Sequence, residues 1–181
     1  MLGTSPGTAA TSRSGRSDID SLKSSDVPVG TLAPPFALPA VDGSMRSLSD
    51  YLGSKVVVVF YRGHWCGACR QHLDALRTAV LTMEDAGAAV LAISAEPLER
   101  ARASAEADGL PFTILSDEEL VAIDRYGVRH EGEPEAGGKA IARPSLFVLD
   151  RGGTVRFAHV GEDPLDRPTI RLILLALETL D

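Results

Sequence analysis

A run of β-branched residues that ends just before a Cys-x-x-Cys motif constrains the fold of this chain more than any other stretch. Residues 56–60 are continuously apolar, which is typical of a strand buried on both faces. Behind the two cysteines, apolar residues recur at the spacing of a helix, at Leu73, Leu76, Val80 and Met83. The sequence therefore predicts a strand over 55–61, a short polar turn, and a helix over about 66–86 with the dithiol at its N-terminus.

The position of the two cysteines on that helix predicts unequal roles. The free N–H groups and the positive dipole end of a helix favour a thiolate, so the pKa of a cysteine there falls from about 8.5 to roughly 3.5–7.5. Cys66 stands at the helix mouth and is the predicted nucleophile. Cys69 lies one turn further on and can attack a mixed disulfide on Cys66, which makes it the predicted resolving thiol.

Several neighbours of the dithiol are candidate supporting residues. Trp65 is expected to cover one side of the pair, and Arg62 and Arg70 add positive charge nearby. His64 either steadies the Cys66 thiolate and shuttles a proton, or is an exposed turn residue.

The Cys-x-x-Cys has three other interpretations. A structural disulfide closing so short a loop gives little entropic stabilisation. A zinc site normally needs four ligands, and this chain has two cysteines, with His64 and His72 as the nearest additions. A buried, inert pair is the third interpretation. A redox dithiol is the favoured one, because a lone Cys-x-x-Cys between a strand and a helix is a redox signal.

Charge and composition restrict the partners and the compartment. The chain has 181 residues, a formal net charge of −7 and a pI near 5.1, which argues against nucleic acid or an anionic membrane as partner. No stretch has the ~20 apolar residues of a membrane helix. Residues 1–26 are rich in Ser, Thr, Gly and Ala and predict a disordered tail without a secretory signal, followed by one domain over 27–181. We therefore expect a cytoplasmic protein.

The rest of the chain alternates between strand and helix patterns. Strand patterns lie at 90–93, 112–115, 145–149 and 154–160, the last two joined by a hairpin turn. Helix patterns lie at about 97–108, at 116 to near 127 where 116–119 fits a capping box, and around 170–180. Residues 129–143 contain several Gly and Pro residues and predict a mobile loop. The order indicates an α/β fold.

Three segments resemble a known family. Residues 30–38 (GTLAPPFAL), 65–69 (WCGAC) and 144–150 (PSLFVLD) are similar to the thioredoxin-like superfamily. Within it they resemble the peroxiredoxin-like branch, the alkyl hydroperoxide reductase and thiol-specific antioxidant (redoxin) family. The resemblance implies a thioredoxin-like fold, with a central mixed β-sheet flanked by helices and a cis-proline facing the dithiol. Pro144 is the candidate for that bond, the alternative being a trans-proline that starts an edge strand.

The sequence also departs from the pattern of that family. Peroxiredoxins carry Pro-x-x-x-Thr/Ser-x-x-Cys, and counting back from Cys66 puts Gly63 at the hydroxyl position and Val59 at the proline position. The family's Arg before the penultimate strand aligns with Pro144, and the adjacent Arg143 is the residue that can replace it. The exchange chemistry of the dithiol is unaffected by these departures, whereas the group that orients a peroxide is missing.

The predicted function is that of a thiol-based oxidoreductase without metal or organic cofactor. Its dithiol is expected to reduce disulfides and, more slowly, hydroperoxides, with electrons from a thioredoxin-, glutaredoxin- or low-molecular-weight-thiol-type donor. One alternative is a true thiol-dependent peroxidase. An alternative from another class is a copper(I) metallochaperone on the same fold, in which His130 or His159 joins the two thiolates.

Overall fold

The computed structural model describes residues 27–180, and these form an α/β unit. Nine strands and four α-helices follow one another along the chain: β1 (Ala37–Pro39), β2 (Met45–Ser47), β3 (Lys55–Phe60), α1 (Gly67–Asp85), β4 (Ala88–Ser94), α2 (Leu98–Asp108), β5 (Thr113–Ser116), α3 (Val121–Arg125), β6 (Arg129–Glu133), β7 (Lys139–Ala142), β8 (Ser145–Leu149), β9 (Val155–Val160) and α4 (Ile170–Glu178). Two 3-10 turns, Leu48–Tyr51 and Pro134–Ala136, lie between them. The predicted class, a central mixed sheet flanked by helices, is confirmed.

The central sheet has five strands in the order β5-β4-β3-β8-β9. β3 pairs in parallel with β4 and antiparallel with β8, so the predicted buried strand lies in the middle of the sheet. All six of its residues are buried. Alternate side chains point to opposite faces of a strand. Accordingly Val56, Val58 and Phe60 enter one core and Val57 and Val59 the other.

The face that receives Val57 and Val59 is covered by α1, α2 and α4. Leu73, Leu76, Val80 and Met83 form the buried stripe of α1, as their spacing predicted. The helix begins at Gly67, with Cys66 as its N-cap residue. Since β3 ends at Phe60, a six-residue turn carries the chain from the sheet to the helix mouth.

The predicted mobile loop over 129–143 is wrong, because this segment contains the antiparallel hairpin of β6 and β7. The 3-10 turn and Gly137, at φ 70°, confine the chain reversal to a few residues between the strands. His130 pairs with Ile141 across the hairpin, and Glu133 at its end is buried. The Gly and Pro residues thus mark the turn and a bulge of a hairpin.

The predicted capping box over 116–119 is also wrong. α3 starts only at Val121, and the preceding Leu120 has a left-handed conformation with φ 59°. The buried carboxylate of Asp117 accepts hydrogen bonds from the backbone N–H groups of Val121 (2.7 Å) and Ile123 (2.8 Å). One aspartate therefore caps the helix through a longer turn.

The cis form predicted for the bond before Pro144 is wrong, since residues 27–180 contain no cis peptide bond. Hydrogen bonds fix the chain on both sides of this proline: Arg143 N–H donates to the Val128 carbonyl (2.6 Å), and the Pro144 carbonyl accepts from Gly161 N–H (2.7 Å). The alternative, a trans-proline at the start of an edge strand, is right about the trans form but wrong about the edge, because β8 lies between β3 and β9. The trans form, which most X-Pro bonds adopt, satisfies both hydrogen bonds.

Two further predictions concern the chain ends and membranes. The tail predicted over 1–26 lies outside the described residues. Within residues 27–180, every helix is too short or too polar to span a bilayer.

Candidate active site

The two cysteines lie at the N-terminus of α1, as predicted. The N–H of Cys66 donates to the Gly63 carbonyl (3.2 Å), which closes the turn before the helix. Cys66 is 6% exposed and Cys69 1% exposed, and both are free thiols. Cys66 is therefore the thiol nearer to solvent, and Cys69 lies one turn deeper against the sheet.

The two thiols have pKa values displaced in opposite directions. Burial opposes ionisation of Cys66, but hydrogen bonds from the side chain and backbone of Cys69, together with Arg167 and Arg62, outweigh it and lower the pKa. Burial and the neighbouring Cys66 raise the pKa of Cys69 to about 11, although Arg167 and the Arg62 backbone act against this rise. Cys66 is therefore the more acidic of the two thiols and ionises before Cys69.

Arg62 is held in place by three contacts. Its guanidinium pairs with the buried carboxylate of Glu133, at the end of β6, and Cζ lies 4.8 Å from the centroid of the Trp65 ring. Nη1 lies 3.9 Å from the Cys66 sulfur. Trp65 therefore contacts the arginine that lies beside the Cys66 sulfur.

The second arginine at the dithiol, Arg167, was missed in the sequence. It precedes α4, and its Nη2 lies 3.0 Å from the Cys69 sulfur and 4.0 Å from the Cys66 sulfur. In the sequence it is 98 residues from Cys69 and shows no motif around it. Only the tertiary fold brings it to the site.

Gly63 lacks a side chain because the Trp65 indole occupies the space. A Cβ on Gly63 would overlap the indole Nε1 and lie 2.9 Å from Cδ1, and the backbone has φ 154°. The turn therefore has room for the indole of Trp65 in its present position or for a hydroxyl side chain at position 63, but not for both.

His64 faces away from the thiols. Its Nε2 lies 2.8 Å from the Asp108 carboxylate, and its backbone N–H donates to Glu96 (2.9 Å). Arg70 also reaches Asp108, at 3.3 Å. His64, in the turn before α1, and Arg70, on α1, therefore both contact the end of α2, and neither sulfur is among the hydrogen-bond partners described for them.

Arg143 and Pro144 lie at a small cavity beside Arg62. The cavity has a volume of about 70 Å³ and is also lined by His130. Arg143 Nη2 donates to the Gly161 carbonyl (2.9 Å), at the start of the segment that carries Arg167. Arg143 therefore borders the site and anchors that segment.

His72 is partly buried on α1, beside the segment that carries Arg167. Burial and the charge of Arg167 lower the pKa of His72 to about 4. Within residues 27–180 its Nε2 is buried without a hydrogen-bond partner, as suits a neutral ring. The spacing along α1 did not reveal this, because the segment before α4 covers a flank that the sheet leaves open.

Metal ligation finds no support in the described part of the chain. No group of three or more His, Cys, Asp or Glu residues there is arranged around a common point. His130 lies 3.8 Å from Glu133, and His159 lies 2.9 Å from Asp166. Both histidines of the copper hypothesis thus have carboxylate partners of their own.

Comparison with known proteins identifies relatives over most of the chain. Residues 29–158 match the AhpC/TSA family. Peroxiredoxin Bcp of Escherichia coli is 36% identical over 137 residues, which cover 74% of this chain and 85% of that protein. Chloroplastic peroxiredoxin Q of Sedum lineare is 33% identical over 130 residues, covering 72% of this chain and 67% of the relative.

Solved structures share the fold. The crystal structure of peroxidoxin BcpB from Mycobacterium tuberculosis superposes with a TM-score of 0.76 at 23% identity and covers 86% of this chain and 99% of that one. The family match over residues 29–158 begins before β1, includes the dithiol and β8, and ends within β9.

Proposed function

Since the chain belongs to the AhpC/TSA family and is a peroxiredoxin-like thiol oxidoreductase, as its motifs indicated, we propose that Cys66 and Cys69 cycle between dithiol and disulfide. In this cycle the enzyme reduces disulfides and, more slowly, hydroperoxides. Electrons come from an external thiol donor of the thioredoxin, glutaredoxin or low-molecular-weight kind.

The cycle has three balanced steps. The Cys66 thiolate attacks a substrate disulfide, so that a bond between Cys66 and one substrate sulfur forms and the other sulfur leaves as a thiolate. Cys69 then gives up its proton and attacks the Cys66 sulfur, which forms the intramolecular disulfide and releases the second substrate thiol. Two thiols of the donor finally reduce that disulfide and become a disulfide themselves.

The opposite displacement of the two pKa values is the observation that carries this proposal. The thiol at the helix mouth is the more acidic, and the one a turn deeper is held as a thiol until Cys66 has reacted. An attacking group needs thiolate character and access, whereas a resolving group needs only to reach the first sulfur. The pair therefore has the order of reactivity that the cycle requires.

The turn before Cys66 supports slow reduction of hydroperoxides. Fast cleavage of an O–O bond requires donors aimed at the leaving oxygen, because charge develops there in the transition state. At position 63 the side chain is absent and the indole of Trp65 fills the space. Arg62 and Arg143 remain near the site, so peroxide reduction is expected to be detectable.

A reducing compartment fits this chemistry, and we place the enzyme in the cytoplasm. Two thiols spaced this closely cycle when a thiol pool keeps them reduced.

The second candidate is a dedicated thiol peroxidase. The observation that favours it is the name peroxiredoxin borne by the relatives from Escherichia coli and Sedum lineare. The two candidates differ in which oxidant reacts fastest with the reduced enzyme.

Stopped-flow fluorescence distinguishes them, because Trp65 is the only tryptophan of the chain and adjoins Cys66. Reduced enzyme is mixed with hydrogen peroxide or with a small disulfide such as hydroxyethyl disulfide, each over a range of concentrations. We expect the disulfide to react with the larger second-order rate constant and Cys66→Ser to give no signal change. A larger rate constant for peroxide would establish the peroxidase instead.

A further inference from the structure

The segment between β9 and α4 presents Arg167 directly to the resolving thiol. One guanidinium nitrogen, Nη2, lies 3.0 Å from the sulfur of Cys69 and 4.0 Å from that of Cys66. This nitrogen is therefore within reach of both sulfurs, and closer to the one that reacts second.

Hydrogen bonds within the segment hold Arg167 in place. Asp166 accepts from His159 Nε2 (2.9 Å) and from the Glu162 N–H (2.9 Å), and Nη1 of Arg167 donates to the Pro164 carbonyl. The arginine is thus fixed by its own segment and does not depend on the thiols for its position.

Close packing also fixes the start of the segment. A Cβ on Gly161 would lie 2.8 Å from the Pro144 carbonyl oxygen and would overlap the backbone of Asp166. The segment is therefore pressed against the turn that precedes β8.

The charges around Arg167 leave the sulfurs as its main anionic partners. His72 packs against it with a pKa lowered to about 4 and carries no charge at neutral pH. Asp166, whose pKa is lowered by the Glu162 N–H, is ionised, but its oxygens accept from His159 and the backbone. Arg62, the other cation at the dithiol, is paired with Glu133.

We propose that Arg167 is a catalytic residue of the second step, in which it stabilises the thiolate of Cys69 while that sulfur attacks the oxidised Cys66. The inference rests on the dithiol cycle proposed above. Before oxidation, Cys66 is the more acidic of the two thiols, and both arginines lie about 4 Å from its sulfur, at 3.9 and 4.0 Å. Once Cys66 has bonded to the substrate its sulfur is neutral, and the charge of Arg167 acts on Cys69 alone.

The step balances without any further reactant. The Cys69 thiol loses its proton and its sulfur forms a bond to Cys66 Sγ. The bond from Cys66 to the substrate sulfur, or to the oxygen of a sulfenic acid, breaks. The departing thiolate or hydroxide takes the electron pair and a proton and leaves as thiol or water.

Removing Arg167 is expected to slow the second step far more than the first. Hydrogen bonds to charged groups contribute about 1.5–3 kcal/mol, which corresponds to a reduction of about 10- to 100-fold in ring closure for Arg167→Met. Attack by Cys66 is expected to slow less than ring closure, because Arg167 lies further from the Cys66 sulfur (4.0 Å) than from Cys69 (3.0 Å) and Arg62 still lies beside Cys66. Arg167→Lys keeps the charge, so its rate of ring closure is expected to lie between those of the wild type and Arg167→Met.

Rapid quench measures the two steps separately. Reduced enzyme is mixed with hydroxyethyl disulfide, quenched in acid and analysed by intact mass spectrometry for the Cys66 adduct and for the intramolecular disulfide. The adduct is expected to accumulate in Arg167→Met and to remain transient in the wild type. Arg171→Met, which removes an exposed arginine from α4, is the matched control and should behave as the wild type.

The pKa of Cys69 tests the same inference without substrate. In a Cys66→Ser background the neighbouring thiolate is gone, and the rate of iodoacetamide alkylation against pH gives the pKa of Cys69. Adding Arg167→Met is expected to raise that pKa by about one to two units, from the same hydrogen-bond energy. His72, Asp166, Arg62 and Tyr61 are present in both proteins. The loss of Arg167 raises the pKa values of His72 and Asp166, but both groups titrate well below the range in which Cys69 ionises.

The outcomes separate this inference from the proposed cycle. If wild-type enzyme forms no Cys66–Cys69 disulfide, the cycle itself is wrong, and the role of Arg167 fails with it. If the disulfide forms but Arg167→Met slows both steps equally, or leaves the pKa of Cys69 unchanged, the cycle stands and the role of Arg167 is wrong.

Discussion

The dithiol has two unlike sides. On the outer side, formed by Cys66, Arg62, Trp65 and Glu133, the arginine shares its charge with a buried carboxylate and an aromatic ring. On the inner side, formed by Cys69, Arg167 and His72, the arginine has no carboxylate in ion-pair contact within the described part of the chain. An arginine in a close ion pair mainly fixes geometry, whereas one without such a pair acts more strongly on the nearby sulfurs. The two thiols are therefore tuned by different means.

Substituting each thiol in turn gives the largest expected contrast between the two sides. Cys66→Ser is expected to abolish turnover, because the only thiol with a lowered pKa is lost. Cys69→Ser leaves the nucleophile and is expected to accumulate mixed disulfides with its substrates. Intact mass spectrometry after incubation with a small disulfide measures the adducts. Adducts on Cys69 in the Cys66→Ser protein, formed as fast as those on Cys66, would reverse the assignment of roles.

Glu133→Gln tests whether Glu133 influences Cys66 mainly by positioning Arg62 or mainly by sharing the charge of Arg62. Removing one partner of a buried ion pair is costly, and since Arg62 keeps some contact with solvent we expect about 2–3 kcal/mol lower free energy of unfolding. The charge of Arg62 is then no longer shared, so the pKa of Cys66 should fall further. Urea unfolding measures the first effect, and alkylation against pH in a Cys69→Ser background measures the second.

Glu131→Gln is the matched control, because this residue lies on the same strand but is exposed. Exposed ion pairs contribute about 0–1 kcal/mol, so its stability and the reactivity of Cys66 should hardly change. A rise in the pKa of Cys66 in Glu133→Gln would show that the carboxylate matters mainly by holding Arg62 near the sulfur.

The inner side should respond to pH through His72. Its pKa is lowered from 6.5 to about 4 on folding, so the unfolded chain binds more protons between these values. The resulting stability is fully present above pH 6.5 and is lost as pH falls toward 4. We expect the free energy of unfolding to drop by about 2 kcal/mol between pH 7 and pH 5 from this group.

Urea unfolding of wild type and His72→Gln at both pH values isolates that contribution. The variant should lose clearly less stability over the same interval, since the buried imidazole is gone. Equal losses of stability in the two proteins would show that the His72 ring is solvated and does not contribute to the inner side of the dithiol.

The sequence revealed the outer side better than the inner one, for a physical reason. Cys66, Trp65 and Arg62 lie within five consecutive positions, and the period of the flanking strand and helix places them at one junction. Glu133 and Arg167 arrive from a hairpin and a connecting segment whose local patterns show turns only. Their contacts depend on tertiary packing, which periodicity does not describe.

Turn residues gave the least reliable predictions. The Gly and Pro residues over 129–143 predicted a loop, yet backbone pairing between β6 and β7 makes it a hairpin. Pro144 was expected to be cis from family resemblance, and the hydrogen bonds on either side hold a trans chain. The strands and helices with a clear apolar period, in contrast, lie within a few residues of their predicted bounds.

Arg143→Ala gives the smallest expected effect and tests whether the two sides communicate. Arg143 lines the small cavity beside Arg62, and it also donates to the Gly161 carbonyl at the start of the segment that carries Arg167. Losing one partly buried hydrogen bond should lower the free energy of unfolding by only about 1 kcal/mol.

The kinetic effect of Arg143→Ala should depend on the oxidant. Arg143 lines this cavity together with Arg62, which lies 3.9 Å from the Cys66 sulfur, and a guanidinium near that sulfur can stabilise the leaving oxygen of a hydroperoxide. Peroxide reduction should therefore fall several-fold, whereas a disulfide, whose leaving thiolate needs less stabilisation, should lose much less. Stopped-flow traces of Trp65 fluorescence give the ratio of variant to wild-type rate constants for each oxidant. The control is Arg156→Ala, which removes an exposed arginine paired with Asp150. If Arg143→Ala lowers the reaction rate equally with both oxidants and also slows closure of the Cys66–Cys69 disulfide, Arg143 acts on the inner side. It would do so through its hydrogen bond to Gly161, at the start of the segment that carries Arg167.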